Sequence, residues 1–372
     1  MITVKEVTSK RDLKTFVKFP FTLYKGSEYW VPPIISQELK TFDKDKNPVF
    51  HDAEARFFLA YNDGKVVGRI AAIINWIEVK QQGIKKMRFG WFDFEDDPEI
   101  SKALLDKVTE IGNQQQLEFI EGPVGFSNLD KVGVMTEGFD HIGTMITWYN
   151  YPYYQDHYKA YGLDVSKEYV ESKFAYSDIK SETFTKIQDL IKRRYKLEAL
   201  DFKTSEDIMG YADEMFDVFE TSHAKLSSFV AINPEQKAYF KKKFLPFLNP
   251  EYVKFVVDKD NKLIAFAIVT PSYAEALRKM NGKLFPFGFR HIMHAKKHSK
   301  SVTFYLIGIL PEYQNKGVTA IIFNEFYKEF SKKGVEQCIR GPELADNTAI
   351  HQIWKHFNPV VHKRRCTMSK TI

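Results

Sequence analysis

Residues 311–326, PEYQNKGVTAIIFNEF, place a polar, glycine-containing turn directly before an apolar run with helical spacing. The turn and the first helical residues are Gln314, Asn315, Lys316, Gly317, Val318 and Thr319. A helix start leaves backbone N–H groups unpaired and carries a partial positive charge, so it can hold an anion. The pattern therefore predicts an anion-binding turn at residues 314–319.

A cation-rich segment lies between residues 277 and 300 and contains no acidic residue. Its cations are Arg278, Lys279, Lys283, Arg290, Lys296, Lys297 and Lys300, and Phe285, Phe287 and Phe289 lie between them. A solvated flap has this composition, and so does a segment that touches an anionic membrane surface or covers an acyl chain. Because no recognised nucleic-acid-binding module accompanies these cations, nucleic acid is a less favoured partner of this segment than a membrane surface or an acyl chain.

Histidines in the same segment share helical spacing, at His291, His294 and His298. A protein metal site usually adds carboxylate or cysteine ligands to its histidines, and neither residue type lies nearby. The two cysteines, Cys338 and Cys366, show no zinc-ligand spacing and cannot build a disulfide framework. We therefore expect no metal.

The elements that must position these residues occur twice along the chain, each time as two strands around a turn, a third strand, a helix and a short strand ending in Gly-Pro. The matching strand segments are 57–74 with 253–269, 86–94 with 302–310, and 117–123 with 336–342. This order predicts a duplicated α/β unit with a boundary near residue 178. The second half carries an extra basic insertion at residues 273–300.

The two copies differ at the start of the main helix. In the first half, Asp96, Asp97 and Glu99 stand where the second half has its polar turn. Carboxylates cap a helix start and would repel a phosphate. The pattern predicts that the first-half site is neutralised by the protein itself and that the second-half site is open.

Composition sets the broad class. The chain has 372 residues, 44% hydrophobic and 27% charged residues and a net charge of +6, which favours a globular protein of two domains that can take anionic ligands. Aromatic residues reach 15%, which indicates either an aromatic core or an apolar slot for a greasy ligand. No secretory pattern opens the sequence and no apolar run approaches a membrane span, so we expect a cytoplasmic protein.

The segment LPEYQNKGV before the main helix, within this order of elements, resembles the GNAT superfamily of acyl-CoA N-acyltransferases. The phosphate turn of that family matches from Gln314 to Val318, with Thr319 where glycine or alanine is usual. The first half, through FGWFDFEDDPEISKALL and EGFDHIGTMITWYNYPYYQDHYKAYGL, resembles a bacterial group of two-domain GNAT-like proteins. The resemblance implies an α/β fold of tandem duplicated GNAT-like domains, each a mixed, mostly antiparallel sheet flanked by helices. We expect a degenerate domain at 1–178 and the acyl-CoA site in 179–372.

The resemblance also implies roles for individual residues. Pyrophosphate would lie at residues 314–319, and pantetheine would run along a splayed strand at Ile307, Gly308 and Ile309. The resemblance brings forward Tyr158 as an acid and Asn347 to orient the donor or cap a helix. Glu343 and His351 are polar residues near that site, and either could act as a base. Trp354 replaces the usual tyrosine acid of the family in the second half.

Three functions follow from this reading. The first is transfer of an acyl group from acetyl-CoA or a longer acyl-CoA to an unidentified amine. The aromatic residues and the basic segment indicate either a long acyl donor or a long-chain, lipid-like amine. The second is a non-catalytic binder of acyl-CoA, lipid or peptide. The third is an aminoacyl-tRNA-dependent transferase on a doubled fold.

Overall fold

The computed structural model describes residues 1–372 apart from 128, 180, 227, 228, 245, 246, 355 and 356, together with the side chains of 181 and 183. Its strands are β1 (Ile2–Glu6), β2 (Ala53–Asn62), β3 (Lys65–Asn75), β4 (Lys86–Phe94), β5 (Phe119–Gly122), β6 (Val134–Glu137), β7 (Asp164–Ala175), β8 (Glu198–Leu200), β9 (Val253–Val257), β10 (Leu263–Pro271), β11 (Ser301–Ile309), β12 (Gln337–Arg340), β13 (Glu343–Leu344) and β14 (Val360–Thr371). Its α-helices are α1 (Lys10–Leu23), α2 (Ile35–Thr41), α3 (Pro98–Gln114), α4 (Tyr154–Ala160), α5 (Ser181–Tyr195), α6 (Ser205–Met209), α7 (Ala212–His223), α8 (Pro234–Phe244), α9 (Ala274–Met280), α10 (Gly288–His298), α11 (Val318–Lys333) and α12 (Thr348–Trp354).

The predicted repeat is confirmed element by element. Strands β2 and β3 form a hairpin whose turn residues Asp63 and Gly64 have positive φ angles of 49° and 82°, as tight hairpin turns require. Strands β9 and β10 repeat the hairpin around Asn261, which has a φ of 60°. In each half the third strand leads into a long helix, α3 or α11, which packs its apolar face on the sheet.

One sheet runs through both halves. Its strand order is β1-β2-β3-β4-β5-β14-β7-β12-β11-β10-β9-β8 among the described residues. Strands β4 and β5 are parallel, as are β11 and β12, while the other neighbours in this order are antiparallel. The two halves therefore carry the same strand order outward from the middle of the sheet.

The last strand of each half crosses to the other half. The C-terminal strand β14 pairs with β5 of the first half, with Met368 opposite Gly122. Strand β7, which ends the first half, pairs with β12 of the second, with Phe174 opposite Cys338. Strands β7 and β14 also pair with each other along most of their length. The boundary predicted near residue 178 falls just after β7, and one sheet continues across it.

Aromatic side chains fill the core of each half. In the first half, Phe92 and Tyr158 stack with ring centroids 5.4 Å apart. In the second half, Phe304 packs edge-on against Trp354 at 4.9 Å, within a cluster that includes Phe323. The aromatic excess of the sequence is used largely for this packing.

Candidate functional site

Strand β11 separates from its neighbour halfway along its length. Its pairing with β12 runs from Ser301 to Phe304, whereas β11 continues to Ile309. The register against β10 shifts at this point, so that Tyr305 lies opposite no residue of β10. Residues 305–309 therefore have no strand partner on the β12 side within the described chain, and the predicted segment from Ile307 to Ile309 lies in this opening.

Helix α7 packs over the separated part of β11. A Cβ atom added to Gly308 would lie 2.5 Å from Cε1 of Phe266 and 3.0 Å from Oγ of Ser222, which closes α7. Side chains are not accommodated at such distances, so glycine is required for this close approach. The strand backbone and the end of α7 are consequently in direct contact.

The turn before α11 is open at its outer face. Gln314, Asn315 and Lys316 are exposed, and Gly317 forms the N-cap of α11 with a φ of 79° and no side-chain cap. Gln314 Nε2 donates to the backbone oxygen of Ile309 at 3.0 Å, which ties the turn to the end of β11. Among the remaining predicted residues, Val318 is buried in the core and Thr319 is partly exposed. The helix start can therefore receive an anion from solvent.

The first half closes the equivalent places with its own residues. Asp97 caps α3 by accepting the backbone N–H of Glu99 at 2.9 Å, which confirms the predicted capping. Beyond the point where β4 and β5 stop pairing, Trp91, Trp148 and Tyr154 leave a cavity of only about 10 Å³. In this half a carboxylate of the protein caps the helix start, and aromatic side chains fill most of the strand opening.

A cavity of about 270 Å³ lies between the two halves. The first half supplies Lys86, Arg88, Glu121, Lys131, Lys167 and Tyr169 to its lining, and the second half supplies Phe219, His223, Tyr305, Leu306, Ile307, Glu343, Asn347 and Trp354. The separated part of β11 thus forms one wall of the cavity, with charged side chains of the first half among those lining it.

A second cavity of about 100 Å³ adjoins the first. The two share Leu129, Asp130, Lys131, Ile146 and Tyr305 in their linings. Apolar side chains dominate the rest of the second lining, including Val31, Ile34, Met145, Phe244, Phe247 and Leu277. Leu277 belongs to the predicted insertion at residues 273–300, so that insertion reaches the inside of the molecule as well as its surface. We name the two spaces the main cavity and the apolar chamber.

The first-half residues of the main cavity form a buried ionic network. Lys86 Nζ lies 2.8 Å from Oε1 of Glu78 and 2.9 Å from Oε2 of Glu121. Arg88 pairs with Glu78 at 2.7 Å, and Lys167 pairs with Glu121 at 3.1 Å. Burial opposes ionisation of Glu121, but the lysines outweigh it and lower the pKa of this carboxyl to about 2. The network holds three cations and two carboxylates, so it presents a net positive charge to the cavity.

Lys131 lies where the main cavity meets the apolar chamber. Burial lowers the pKa of its ammonium group, and the nearby carboxylate of Glu38 opposes this effect. A cation at this point lies between the charged lining of the main cavity and the mostly apolar lining of the chamber. The arrangement suits an amphipathic ligand with a polar group at the junction and a hydrocarbon tail in the chamber.

The structure brings two of the four predicted catalytic residues to the main cavity, Glu343 and Asn347. The carboxylate of Glu343 is held by the guanidinium of Arg340 and by Nε1 of Trp354, the latter at 3.1 Å. Asn347 Oδ1 accepts the backbone N–H of Ile350 at 3.3 Å, so it caps α12. A carboxylate already engaged by an arginine is a weak proton acceptor.

The other two predicted catalytic residues lie away from the lining of this cavity. His351 directs Nε2 to the backbone oxygen of Leu344 at 3.1 Å. Tyr158 is fully buried in the first-half core, and its hydroxyl group has no hydrogen-bond partner in the described chain. Burial raises the pKa of Tyr158 well above its ordinary value. Tyr158 lines the small first-half cavity beside Trp91 and Trp148. It does not line the main cavity, which opens along residues 305–309 of β11.

Sequence reasoning missed the first-half charged residues of the cavity and also His223. Lys86 and Glu121 had a detectable signal, because each is a charge within a short apolar strand segment, KMRFGWFDF or LEFIEGP. His223 had none, because ETSHAK reads as an ordinary polar helix end. The predicted residues of the anion turn lie together, but their use by a cofactor stays a prediction.

Within the described ranges, no group of three or more His, Cys, Asp or Glu side chains could hold a metal ion. None of the helices in the part of the chain that the structure covers has the length and apolar character that crossing a bilayer requires.

Two proteins of known sequence are similar to this chain over most of its length. No protein-family profile matches the chain. It is 24% identical over 376 residues to Protein YghO of Escherichia coli (strain K12), covering 99% of this chain and 95% of that protein. It is 24% identical over 320 residues to the bacterial ceramide synthase of Caulobacter vibrioides (strain NA1000 / CB15N), covering 84% of this chain and 82% of that protein.

A solved structure shares the whole fold. The tandem GNAT protein from the clavulanic acid biosynthesis pathway aligns with 100% of this chain and 98% of its own, with a TM-score of 0.57 and 10% sequence identity. At this identity the likeness concerns the fold. The predicted architecture, two GNAT domains in tandem, is thereby confirmed.

Proposed function

We propose that this chain, which has the tandem GNAT fold, transfers an acyl group from acyl-CoA to a long-chain, lipid-like amine. The observation that supports this most directly is the main cavity, which opens along the separated part of β11 and adjoins the apolar chamber. Amide formation from a thioester requires the donor to be anchored and the amine to be held beside its carbonyl carbon. The cavity has room for that meeting, and the chamber has room for part of a hydrocarbon tail.

The residues present fit an acyl-CoA. The backbone of Ile307 to Ile309, which has no strand partner on the β12 side within the described chain, would hold the pantetheine arm. The open start of α11 at residues 314–319 would hold the pyrophosphate. Lys316 adds a positive charge at the turn, with Nζ 5.4 Å from the ring centroids of Tyr195 and Tyr313. When bound, the acyl-CoA supplies an activated carbonyl carbon. The chain supplies position, charge and exclusion of water.

A lipid-like acceptor is favoured by two features of the chain and by one comparison. The apolar chamber is lined by side chains suited to hydrocarbon. The segment 277–300 exposes Phe285 and Phe287 by 72% and 64%, beside Phe289, Met293 and its seven cations. The name of the Caulobacter relative, bacterial ceramide synthase, describes N-acylation of a lipid amine by that protein.

The segment 277–300 would bring the enzyme to its substrate. Aromatic side chains enter the interface of a bilayer, and lysines and arginines bind anionic headgroups. We expect the chain to pellet with phosphatidylglycerol vesicles more than with phosphatidylcholine vesicles, and triple replacement of Phe285, Phe287 and Phe289 by serine to reduce this pelleting. Equal pelleting of the variant and the wild type would contradict membrane contact through this segment. A cytoplasmic location stays a prediction.

The cofactor site is tested by two matched glycine variants. Gly317 and Gly334 lie at opposite ends of α11 with φ angles of 79° and 62°, so a glutamate at either position suffers comparable backbone strain. We expect free CoA and palmitoyl-CoA to stabilise the wild type, by about 3 kcal/mol at 100 times the dissociation constant. Gly317→Glu should abolish this stabilisation because its carboxylate repels the pyrophosphate, and Gly334→Glu should retain it.

The measurement is thermal unfolding with and without ligand, followed by release of the CoA thiol in the presence of palmitoyl-CoA and sphinganine. Stabilisation of Gly317→Glu equal to that of the wild type would place the pyrophosphate elsewhere. No stabilisation of the wild type by any CoA would refute the proposal.

A non-catalytic binder is the second candidate, because Glu343 is engaged by Arg340 and His351 by a backbone oxygen. On that account the wild type is stabilised by palmitoyl-CoA but releases no thiol with any amine of a chain-length series. Release of thiol in step with amide formation excludes it.

A further inference from the structure

His223 lies at the end of α7, on the wall of the main cavity that also contains Tyr305, Leu306 and Ile307. The preceding residue, Ser222, is the one whose Oγ would lie 3.0 Å from a Cβ at Gly308. The histidine is therefore anchored beside the middle of the separated β11 segment. A reacting carbonyl group laid along that segment would be close to the imidazole.

The two ring nitrogens of His223 have different surroundings. Nδ1 lies 2.9 Å from the backbone oxygen of Phe219 and 2.9 Å from Oγ of Ser222. A carbonyl oxygen only accepts hydrogen bonds, so the contact with Phe219 places the ring proton on Nδ1. Ser222 Oγ in turn donates to the same carbonyl at 3.1 Å. This leaves Nε2 with a lone pair, and Nε2 has no hydrogen-bond partner among the described residues.

We propose that Nε2 of His223 accepts the proton of the acceptor amine during acyl transfer. The inference rests on the proposed function and adds to it the proton acceptor. Glu343 and His351 are less available as proton acceptors. Arg340 donates a hydrogen bond to the Glu343 carboxylate, and Nε2 of His351 is hydrogen-bonded to the backbone oxygen of Leu344. His223 combines a free nitrogen, a place on the cavity wall and a fixed orientation, which are the geometric requirements of a general base.

In the proposed acyl transfer, the amine nitrogen forms a bond to the carbonyl carbon of the thioester and gives one proton to Nε2 of His223. The carbon–sulfur bond breaks, and its electron pair leaves with the sulfur. The imidazolium then returns the proton to the sulfur, so that amide and thiol are the products and the ring is neutral again.

The electrostatic surroundings agree with this role. Burial lowers the pKa of His223, and the hydrogen bond to the Phe219 oxygen only partly opposes this, so the ring is neutral near pH 7. The charged side chains that line the same cavity are Lys86, Arg88, Glu121, Asp130, Lys131, Lys167 and Glu343. None of them is hydrogen-bonded to His223 in the described chain.

The test variant is His223→Asn, because the asparagine amide can still donate to the Phe219 oxygen while the free ring nitrogen is lost. The control is His51→Asn, since His51 is an exposed histidine that pairs with Glu235 at 2.6 Å and does not line the cavity. Both are measured with palmitoyl-CoA and sphinganine over pH 5 to 9, with unfolding midpoints and palmitoyl-CoA binding determined in parallel. His223→Gln serves as a second variant if the first is unstable.

We expect kcat/KM of the wild type to fall on the acid side with a midpoint below the ordinary histidine pKa of about 6.5. His223→Asn should lower the rate by about 10²- to 10⁴-fold, remove this acid limb and bind palmitoyl-CoA unchanged. His51→Asn should behave as the wild type. A rate within threefold of the wild type, or an acid limb that persists in both position-223 variants, would overturn the inference and leave the proposed function standing. Absence of turnover by the wild type would overturn both.

Discussion

Replacing Glu121 with glutamine removes a negative charge on β5. This charge contacts β7 and β14, the last strands of the two halves. Oε1 of Glu121 accepts hydrogen bonds from Ser166 Oγ at 2.9 Å and Lys167 Nζ at 3.1 Å, both on β7. It also accepts from Thr367 Oγ1 of β14 at 3.3 Å. Oε2 pairs with Lys86 of β4 at 2.9 Å. One carboxylate therefore ties four strands together: β4, β5, β7 and β14.

The size of the effect follows from the pKa of this carboxyl. Its value is lowered from 4.5 to about 2 on folding, a difference of roughly 2.5 units at 1.36 kcal/mol each. Because the side chain is only 4% exposed, solvent screening takes little from this figure. We expect Glu121→Gln to lower the free energy of unfolding at pH 7 by about 3 kcal/mol.

The pH dependence has a definite sign. A carboxyl whose pKa is lowered by folding stabilises the native state fully above its unfolded pKa, and this stabilisation is lost as pH falls through the folded pKa. The difference between wild type and variant should therefore be constant from pH 7 to pH 5. It should shrink to roughly half at pH 3.

The assay is urea unfolding followed by tryptophan fluorescence at pH 7, 5 and 3, with Glu118→Gln as the control. Glu118 lies three positions earlier and pairs with Lys85 at 3.0 Å, but both side chains are more than half exposed. Such a surface pair is worth about 0–1 kcal/mol. A loss below 1 kcal/mol for Glu121→Gln, or a loss of the same size at pH 7 and pH 3, would refute the reasoning.

Two further predictions concern the cavities. Tyr158→Phe should raise the free energy of unfolding by about 1 kcal/mol, because it removes a buried hydroxyl group without a described partner. Thiol release by this variant should stay within twofold of the wild type. Loss of turnover would instead support Tyr158 as the acid. Ile146→Trp should block the junction that Ile146 lines in both cavities, so that turnover of palmitoyl-CoA falls relative to acetyl-CoA, while Ile146→Val leaves the ratio unchanged. An equal effect on both thioesters would show that the chamber does not receive the chain.

Local patterns were sufficient to predict the repeated elements. The turn at Asp63-Gly64 and the apolar periodicity of α3 and α11 are encoded within short segments, so hairpins and helices can be found without knowing their neighbours. The contrast between Asp97 and Gly317 at the two helix starts is equally local, and it was visible in the sequence.

Long-range pairing could not be predicted in the same way. The residues of β14, VVHKRRCTMSKT, favour a strand, but nothing in them specifies β5 as the partner rather than a strand of the second half. The main cavity depends on that pairing, since its wall combines Lys86 and Lys167 with His223 from distant parts of the chain. The resemblance brought Tyr158 forward from its place in a motif, whereas its surroundings depend on how Trp91 and Trp148 fill the first half.

The exchange of β7 and β14 also bears on biosynthesis. A ribosome makes β7 before the second half begins, and it makes β14 as the last strand of that half. At 5–20 residues per second, synthesis of the chain between these two strands takes roughly 10–40 s. During that time the edge of β5 lacks its final neighbour, and an unpaired edge invites pairing with other chains. The nascent polypeptide would thus depend on a holdase, or on slow collapse of its beginning, until its last strand arrives.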